Sequence, residues 1–439
     1  MTGRGSSGSW TNWGGTVSYT PAEVITPRTV DELADAVGGA AERGGTVKPV
    51  GAGHSFTPIT VTQGVQVNLS GLRGVRGVDR DRRRVTLAAG TRLHEIPAIL
   101  EPLGLAMENL GDIDRQTIAG AVSTGTHGTG ARFGGISTQI RGVQIVDGTG
   151  TIRDIGEDDP DMKAAALGLG ALGVLTEVTI QCVDAFAVLA VEGPGDAEEV
   201  FDGFADRIAE FDHYEFYWFP HTSRTLTKSN TRLPANTPAD GPSPLRRYID
   251  DELLANRTLG ALSALGSRVP RIVPVVNQVV GRAVSARTYT DRSDKIFVSD
   301  RDVRFREMEY ALPAADVPDA LREVRSIIDR KHRVSFPIEV RAAAADDLML
   351  STATGRATGY IAVHRFHRDD LTSSQEYFHD VEEIMIAHGG RPHWGKLHTR
   401  DAAYFREVYP RFDEFLEVRE RFDPHRVFAN PYLETVLGA

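Results

Sequence analysis

Hydrophobic and polar residues alternate along this chain in two rhythms, and their order sketches its elements. Val30, Leu33 and Val37 recur at helical spacing, and Thr29-x-x-Glu32 matches a capping box, so a helix starts at Thr29. Thr46–Val50 is a short β-branched run ending in Gly51-Ala52-Gly53. Val65–Leu69, Val85–Ala89, Val143–Val146 and Thr151–Ile155 read as strands, the last two flanking the tight-turn signal Asp147-Gly148-Thr149-Gly150. Leu172–Gln181 reads as another strand. Short strands and helices thus alternate up to about residue 183, which predicts an α+β or α/β domain.

Beyond that point the texture changes. Tyr214–Phe219 is an aromatic strand, and Asn230–Pro244, with four prolines, reads as a surface loop. Val303–Leu312 is a strand, and Asp316–Arg330 an amphipathic helix with Leu321, Val324 and Ile328 on one face. Strands at Ser335–Arg341 and Gly359–Phe366 follow, then a helix from about Ser373 to His388. This order suits a mostly antiparallel sheet with helices on one face. Asp401–Arg426 reads as helical and leads into Val427-Phe428-Ala429-Asn430-Pro431.

Composition narrows the class. A chain of 439 residues holds two or three domains. Sixty acidic against 49 basic side chains leave a net charge of −11, a poor surface for nucleic acid or anionic lipid. The single cysteine, Cys182, excludes an intramolecular disulfide framework and any Cys-rich metal site. The Gly/Ser-rich first ten residues, expected to be mobile, lack the apolar core of a signal peptide. The most apolar long stretch, Leu259–Val284, is interrupted by Arg268, Pro270, Arg271 and Pro274, so it does not span a membrane. A cytoplasmic protein without integral membrane contact is expected.

Candidate chemistry sits in four segments. Gly51-Ala52-Gly53-His54-Ser55-Phe56 follows a strand, as a phosphate loop does. It is neither a dinucleotide fingerprint, because Phe56 holds the third glycine position, nor a Walker loop, because no Gly-Lys-Ser/Thr follows. It reads as a tight turn with an incidental histidine or as a backbone that approaches an anion closely. The run from Gln116 to Gly130 has almost no large side chain; it suits a flexible linker or, with Ile118 and Val122 fixing it, pyrophosphate contact. In Pro337–Arg341, Glu339 and Arg341 share one strand face, either as a solvated ion pair or as a site that binds a hydroxyl and stabilises negative charge. Lys396 follows His393-Trp394-Gly395 in a chain with six lysines and 43 arginines, which hints that a compact cation is wanted there. His364 and His367 are three apart in strand geometry and do not share a face, so they make no metal site, and no metal is expected.

Taken together, Val50–Phe56, Ala119–Gly128, Leu169–Val174, Glu339–Arg341 and His393–Lys396 resemble, in order, the aldonolactone oxidoreductases of the vanillyl-alcohol-oxidase flavoprotein superfamily. That family includes gulono-, galactono- and arabinono-lactone oxidases or dehydrogenases and the alditol oxidases. The likeness runs from Asn12 nearly to Asn430. It implies an α+β fold: a two-subdomain FAD-binding domain over 1–183, a cap built on a mostly antiparallel sheet over 184–400, and a return to the FAD domain over 401–439. By the same resemblance His54 takes the position that bonds covalently to the flavin. Gly51, Gly53, Ser55, Thr117, Gly120, Ser123, Thr124, Gly125 and His127 would line pyrophosphate and flavin. Gly173 and Val174 would lie along the ADP half and Asn430 near the isoalloxazine, with Gly111 and Asp112 at the flavin edge.

The implied reaction is hydride transfer from C2 of a sugar-1,4-lactone to flavin N5, giving a 2-keto lactone that enolises to an ascorbate-type product. Glu339 would hold the hydroxyl and accept its proton, Arg341 would stabilise the alkoxide, and Lys396 would add positive charge. An alditol oxidase acting on an open-chain polyol, a lactone dehydrogenase with another acceptor, and a non-catalytic flavin binder compete. Asn109–Gln116 looks more like the lactone branch, and a mere binder has no need of Glu339, Arg341 and Lys396. Gly111 offers no side chain to block oxygen, which favours an oxidase producing hydrogen peroxide.

Overall fold

The computed structural model describes residues 8–241, 258–299 and 303–438. Residues 1–7 of the Gly/Ser-rich start and the stretch 242–244 of the expected loop lie outside them. The first helix, Val30–Glu42, forms behind its expected cap: Thr29 Oγ1 accepts the N–H of Glu32 at 3.1 Å, and Glu32 reaches back to the N–H of Arg28 at 2.8 Å. Leu33 and Val37 are fully buried. Beneath it lies a small parallel sheet, with Val65–Asn68 between Glu23–Ile25 and Val47–Val50.

A second, antiparallel sheet runs in the order Ile152–Gly156, Ile140–Val146, Val174–Asp184, Arg84–Ala88, Val75–Asp79, with Leu105–Met107 paired to the far end of Val174–Asp184. The expected turn joins its first two strands, where Asp147 Oδ1 accepts the N–H groups of Thr149 and Thr151 at 2.8 and 3.1 Å.

The third sheet carries the second half of the chain. Its eight strands are all antiparallel, in the order Arg287–Arg292, Phe186–Asp196, Arg224–Pro234, His213–Trp218, Ile338–Ala343, Thr358–Phe366, Phe305–Pro313, Arg391–Pro392. The expected loop at Asn230 is corrected here. Asn230–Pro234 ends a strand paired along its whole length with Phe186–Asp196, and Pro234 occupies the last pair. That strand alternates polar residues rather than apolar ones, so neither its hydropathy nor its proline marked it as sheet. The expected continuous helix over Asp401–Arg426 is two, Ala402–Val408 and Phe412–Phe422, split at Pro410 because proline cannot continue the hydrogen-bond ladder.

Helices Val317–Lys331 and Leu371–Ala387 cover one face of this sheet, where Val324, Ile328, Tyr377 and Val381 pack on Ile338, Val340, Ile361 and Tyr310. Because strand side chains alternate, Glu339, Arg341, Tyr360, Ala362, Glu307 and Glu309 take the opposite face. A larger apolar cluster joins Leu33, Val37 and Ile118 to Trp394, Phe415, Phe428 and Leu433, and takes in Leu348–Leu350 as well. The charged face of the sheet therefore meets the glycine-rich segments rather than solvent. Among the described residues no helix is long and apolar enough to cross a membrane.

Candidate active site

Two cavities, of about 800 and 720 Å³, meet at His54, Ser55, Gln116 and Thr124. The larger one is walled by backbone and small side chains: Gly51–Ser55, Thr117, Gly120, Ser123, Gly170 and Gly173. Thr117 caps the short helix Ile118–Ser123 through the N–H of Gly120 at 3.1 Å, and a Cβ on Gly51 would stand 2.5 Å from Thr117 Oγ1. Gly53 takes φ +72°, open to glycine and strained for other residues. Gly51 is thus required where the two segments close on each other, and Gly53 by its left-handed backbone and the Trp10 ring packed 2.8 Å from where its Cβ would stand. A long cleft with donor-rich walls and almost no bulk fits an extended dinucleotide, and the residues present fit FAD.

The second cavity holds the charges. Arg341 is buried among three carboxylates: its guanidinium lies 2.5 Å from Glu339, 2.8 Å from Glu215 and 3.5 Å from Asp112. Burial opposes its charge, but Glu339, Glu215 and Asp112 outweigh that and raise its pKa well above the usual value. Burial likewise pushes Glu215 up, yet Arg341 and Lys228 hold it at about 2. Tyr217 donates toward Glu215 at 3.2 Å and Glu339 at 3.4 Å. The Glu339–Arg341 pair is thus buried in a cavity and is no surface ion pair.

Lys396 also reaches this cavity, 5.6 Å above the Phe56 ring, and is ion-paired to Glu307. Against the cost of burial, Lys396 and then His364 hold the Glu307 carboxyl far below its usual range. Glu309, two residues on, faces His127, whose Nε2 is 2.9 Å away. His127 stacks on Tyr360 with centroids 3.6 Å apart. His54 stacks on Trp13 at 5.6 Å and 24°, and burial, then Lys396, Arg92 and Arg115, lower its pKa to about 4.

His127, Glu309 and His393 hold their ligand atoms within 4.8 Å of one another, the composition of a metal site. Their hydrogen bonds assign protons instead. His393 Nδ1 accepts the N–H of Gly395 at 3.1 Å, which uses the lone pair of the neutral ring and leaves Nε2 protonated. The His127 Nδ1–H donates to the Gly128 carbonyl at 2.9 Å, and the Nε2 contact to Glu309 holds a further proton.

Most residues singled out from the sequence come together at these two cavities, but four are placed otherwise. Val174 is fully buried and points away; its neighbours Gly173 and Leu175 line the cleft, as strand alternation requires. Asn430 lines neither cavity. Its Oδ1 caps the helix Pro431–Leu437 at Leu433 N, 2.8 Å away, and its Nδ2 donates to the carbonyls of Pro58, Ile59 and Val61. Gly125 forms the left-handed turn after Ile118–Ser123, with φ +77°. Gly111 is buried beside the second cavity, and its φ is not positive; a Cβ there would sit 3.1 Å from the Thr126 methyl and 3.2 Å from the His127 carbonyl. Sequence reading missed Glu215, Glu307 and Glu309. The signal was present as acids at alternate positions of apolar or aromatic strands.

Comparison with known proteins agrees with this geometry. The family model described as D-arabinono-1,4-lactone oxidase matches residues 178–436, more than half the chain, and that of an FAD binding domain matches 21–156. The chain belongs to the D-arabinono-1,4-lactone oxidase family. It is therefore a flavoprotein oxidoreductase of the vanillyl-alcohol-oxidase superfamily. It is 40% identical over 430 residues to the L-gulono-1,4-lactone dehydrogenase of Mycobacterium tuberculosis, covering 98% of this chain and 99% of that one. The L-gulonolactone oxidase of Mus musculus is 30% identical over 435 residues, with 97% of each chain covered. A Streptomyces alditol oxidase is 30% identical over 433 residues, covering 97% of this chain and 98% of that one. A solvent-stable cholesterol oxidase shares the fold, with a TM-score of 0.83 at 18% identity over 99% of this chain and 98% of that one.

Proposed function

We propose that this family member oxidises the C2 hydroxyl of a sugar-1,4-lactone to the 2-keto lactone, with FAD attached covalently to His54. The observation that carries it is the Glu339–Arg341 pair, buried among carboxylates in the cavity that opens onto His54. Gly51–Ser55, Thr117, Gly120, Ser123 and Gly173 would hold the pyrophosphate and ADP half, and Thr124, His127 and Asp112 would lie along the flavin. Bound there, the flavin supplies a two-electron acceptor for the hydride on C2. Glu339 accepts the hydrogen bond of the reacting hydroxyl and then its proton. Arg341, kept charged by its three carboxylates, stabilises the oxyanion as it forms. Lys396 acts one step removed, through Glu307, so its charge is largely spent before it reaches the substrate. Residues 1–183 and 401–439 would form the FAD-binding part and 184–400 the cap, in a cytoplasmic enzyme.

An alditol oxidase is the second reading, favoured by the similarity to the Streptomyces enzyme. An anaerobic screen of sugar lactones and alditols decides between them through bleaching of the oxidised flavin band. Bleaching by lactones at lower concentration than by any alditol is expected; the reverse order overturns the lactone reading. Oxygen is the proposed acceptor, with hydrogen peroxide as product. Gly111 adjoins Asp112 at the proposed flavin edge; its φ allows alanine, whose methyl would press on the Thr126 methyl and the His127 carbonyl. Rapid reoxidation by oxygenated buffer is expected, and Gly111→Ala should slow it more than reduction by substrate. Reoxidation no faster than that of free reduced flavin would make the enzyme a dehydrogenase.

A further inference from the structure

The stretch around Val275 departs in charge from the rest of the chain. From Thr258 to Ala286 it holds no aspartate or glutamate but carries Arg268, Arg271 and Arg282, in a protein whose net charge is −11. Two helices, Thr258–Arg268 and Val273–Ala283, make up most of it, joined through the tight turn Pro270–Ile272.

Both helices are fastened on their inner sides. In the second, Val273, Asn277 and Gly281 recur every fourth residue and are buried. Asn277 Nδ2 donates to the carbonyls of Pro220 and Val334 at 3.0 and 2.8 Å, and a Cβ on Gly281 would stand 3.1 Å from the Arg224 side chain. In the first, Ser267 Oγ donates to the Arg368 carbonyl at 3.0 Å. Ala264 packs on the cluster of Phe56, Phe305, Phe336 and Phe366, two of whose rings line the second cavity.

The outer side is apolar where a seated surface helix is ordinarily polar. Val275 and Val279, one turn apart, are 65% and 61% exposed, and Leu265 and Val269 are exposed as well. Gln278 and Arg282 share the helical side of the two valines, and Arg268 and Arg271 are exposed just before them. Exposed aliphatic side chains scattered singly are ordinary; a group of them ringed by cations with no acid among them is not. A second copy of the chain would bring like charges face to face. An anionic lipid surface complements both features, since aliphatic side chains enter the acyl boundary while guanidinium groups meet phosphate.

We propose that the helix pair Thr258–Ala283 is a peripheral attachment site for an anionic lipid bilayer. Among the described residues no helix is long and apolar enough to cross a membrane, so the contact is interfacial. The acidic remainder of the molecule is repelled by the same lipid, so attachment through this patch fixes one orientation, with the wall of Phe56 and Phe305 next to the bilayer.

The test is flotation of the holoenzyme with vesicles of phosphatidylglycerol and phosphatidylcholine, and with vesicles of phosphatidylcholine alone. The parent should float with the first and stay behind with the second. Val275→Ser combined with Val279→Ser, at two exposed positions, should weaken partitioning roughly tenfold through lost apolar burial. Arg268→Gln, Arg271→Gln and Arg282→Gln should each weaken it roughly fivefold. A parent that stays behind with both vesicles, equal flotation with both, or variants that float as the parent does overturns the proposal. So does a concentration-dependent dimer that the double serine variant abolishes, because a second copy would then fill this face. No substrate enters the measurement, so failure of the lactone reading leaves this result standing.

Discussion

His54 shows how much one side chain decides. Burial and the nearby cations hold its pKa at about 4, so the ring is neutral at physiological pH and keeps a nucleophilic lone pair. Flavin should remain on the polypeptide after acid precipitation; a colourless pellet would sink covalent attachment. Incorporation of FAD into apoprotein should be independent of pH near neutrality and fall as pH drops through about 4, where the imidazole takes its proton. His54→Ala should keep FAD non-covalently and oxidise substrate more slowly. At Arg341, a lysine cannot reproduce a fork that meets Glu339 and Glu215 together. Arg341→Lys and Glu339→Gln should each slow flavin reduction by roughly a hundredfold, the worth of about 3 kcal/mol of electrostatic stabilisation. Near-normal reduction in both would falsify their assignment.

The strand Ile338–Ala343 illustrates what an element adds. Its alternation was legible: Ile338 and Val340 enter the core while Glu339 and Arg341 face the cavity. The neighbours that give this face its meaning were not, because Glu215 and Glu309 reach it from strands far apart in sequence, and register alone aligns them. Asn430 makes the same point at a helix end. One amide caps Pro431–Leu437 and gathers three carbonyls of the segment behind the flavin loop. Asn430→Ala loses the cap acceptor and the donor, whereas Asn430→Asp keeps the cap but turns a buried carboxylate oxygen onto the three carbonyls. Thermal unfolding of the holoenzyme should therefore fall for both variants, the alanine losing at least the ~1 kcal/mol of the missing cap. An unchanged melting temperature in the alanine variant would mean that neither the cap nor the three bonds contribute.

At the scale of the whole molecule, chain ends far apart in sequence are fastened by a buried lysine. Lys48 Nζ donates to the Phe428 carbonyl at 2.9 Å, and Val47 N–H donates to Val427 at 2.8 Å. Burial lowers the Lys48 pKa from 10.5 to about 7, against the pull of Asp423. Between those values the unfolded chain holds a proton that the folded one has lost, so stability rises with pH across this window. Relative to Lys48→Met, the parent enzyme should gain ~1.4 kcal/mol per pH unit there, measured by urea unfolding of the holoenzyme. A difference that does not change with pH would show Lys48 to be charged throughout. The sequence by itself determined the rhythm of strands and helices, the glycine segments that admit a dinucleotide, and the family, because these are written in local spacing and contiguous motifs. Only the tertiary structure decided which charges meet. The three carboxylates around Arg341, the Glu307 partner of Lys396 and the Glu309–His127 pair depend on strand order and register, which set neighbours across the sheet and leave no mark on the sequence between them.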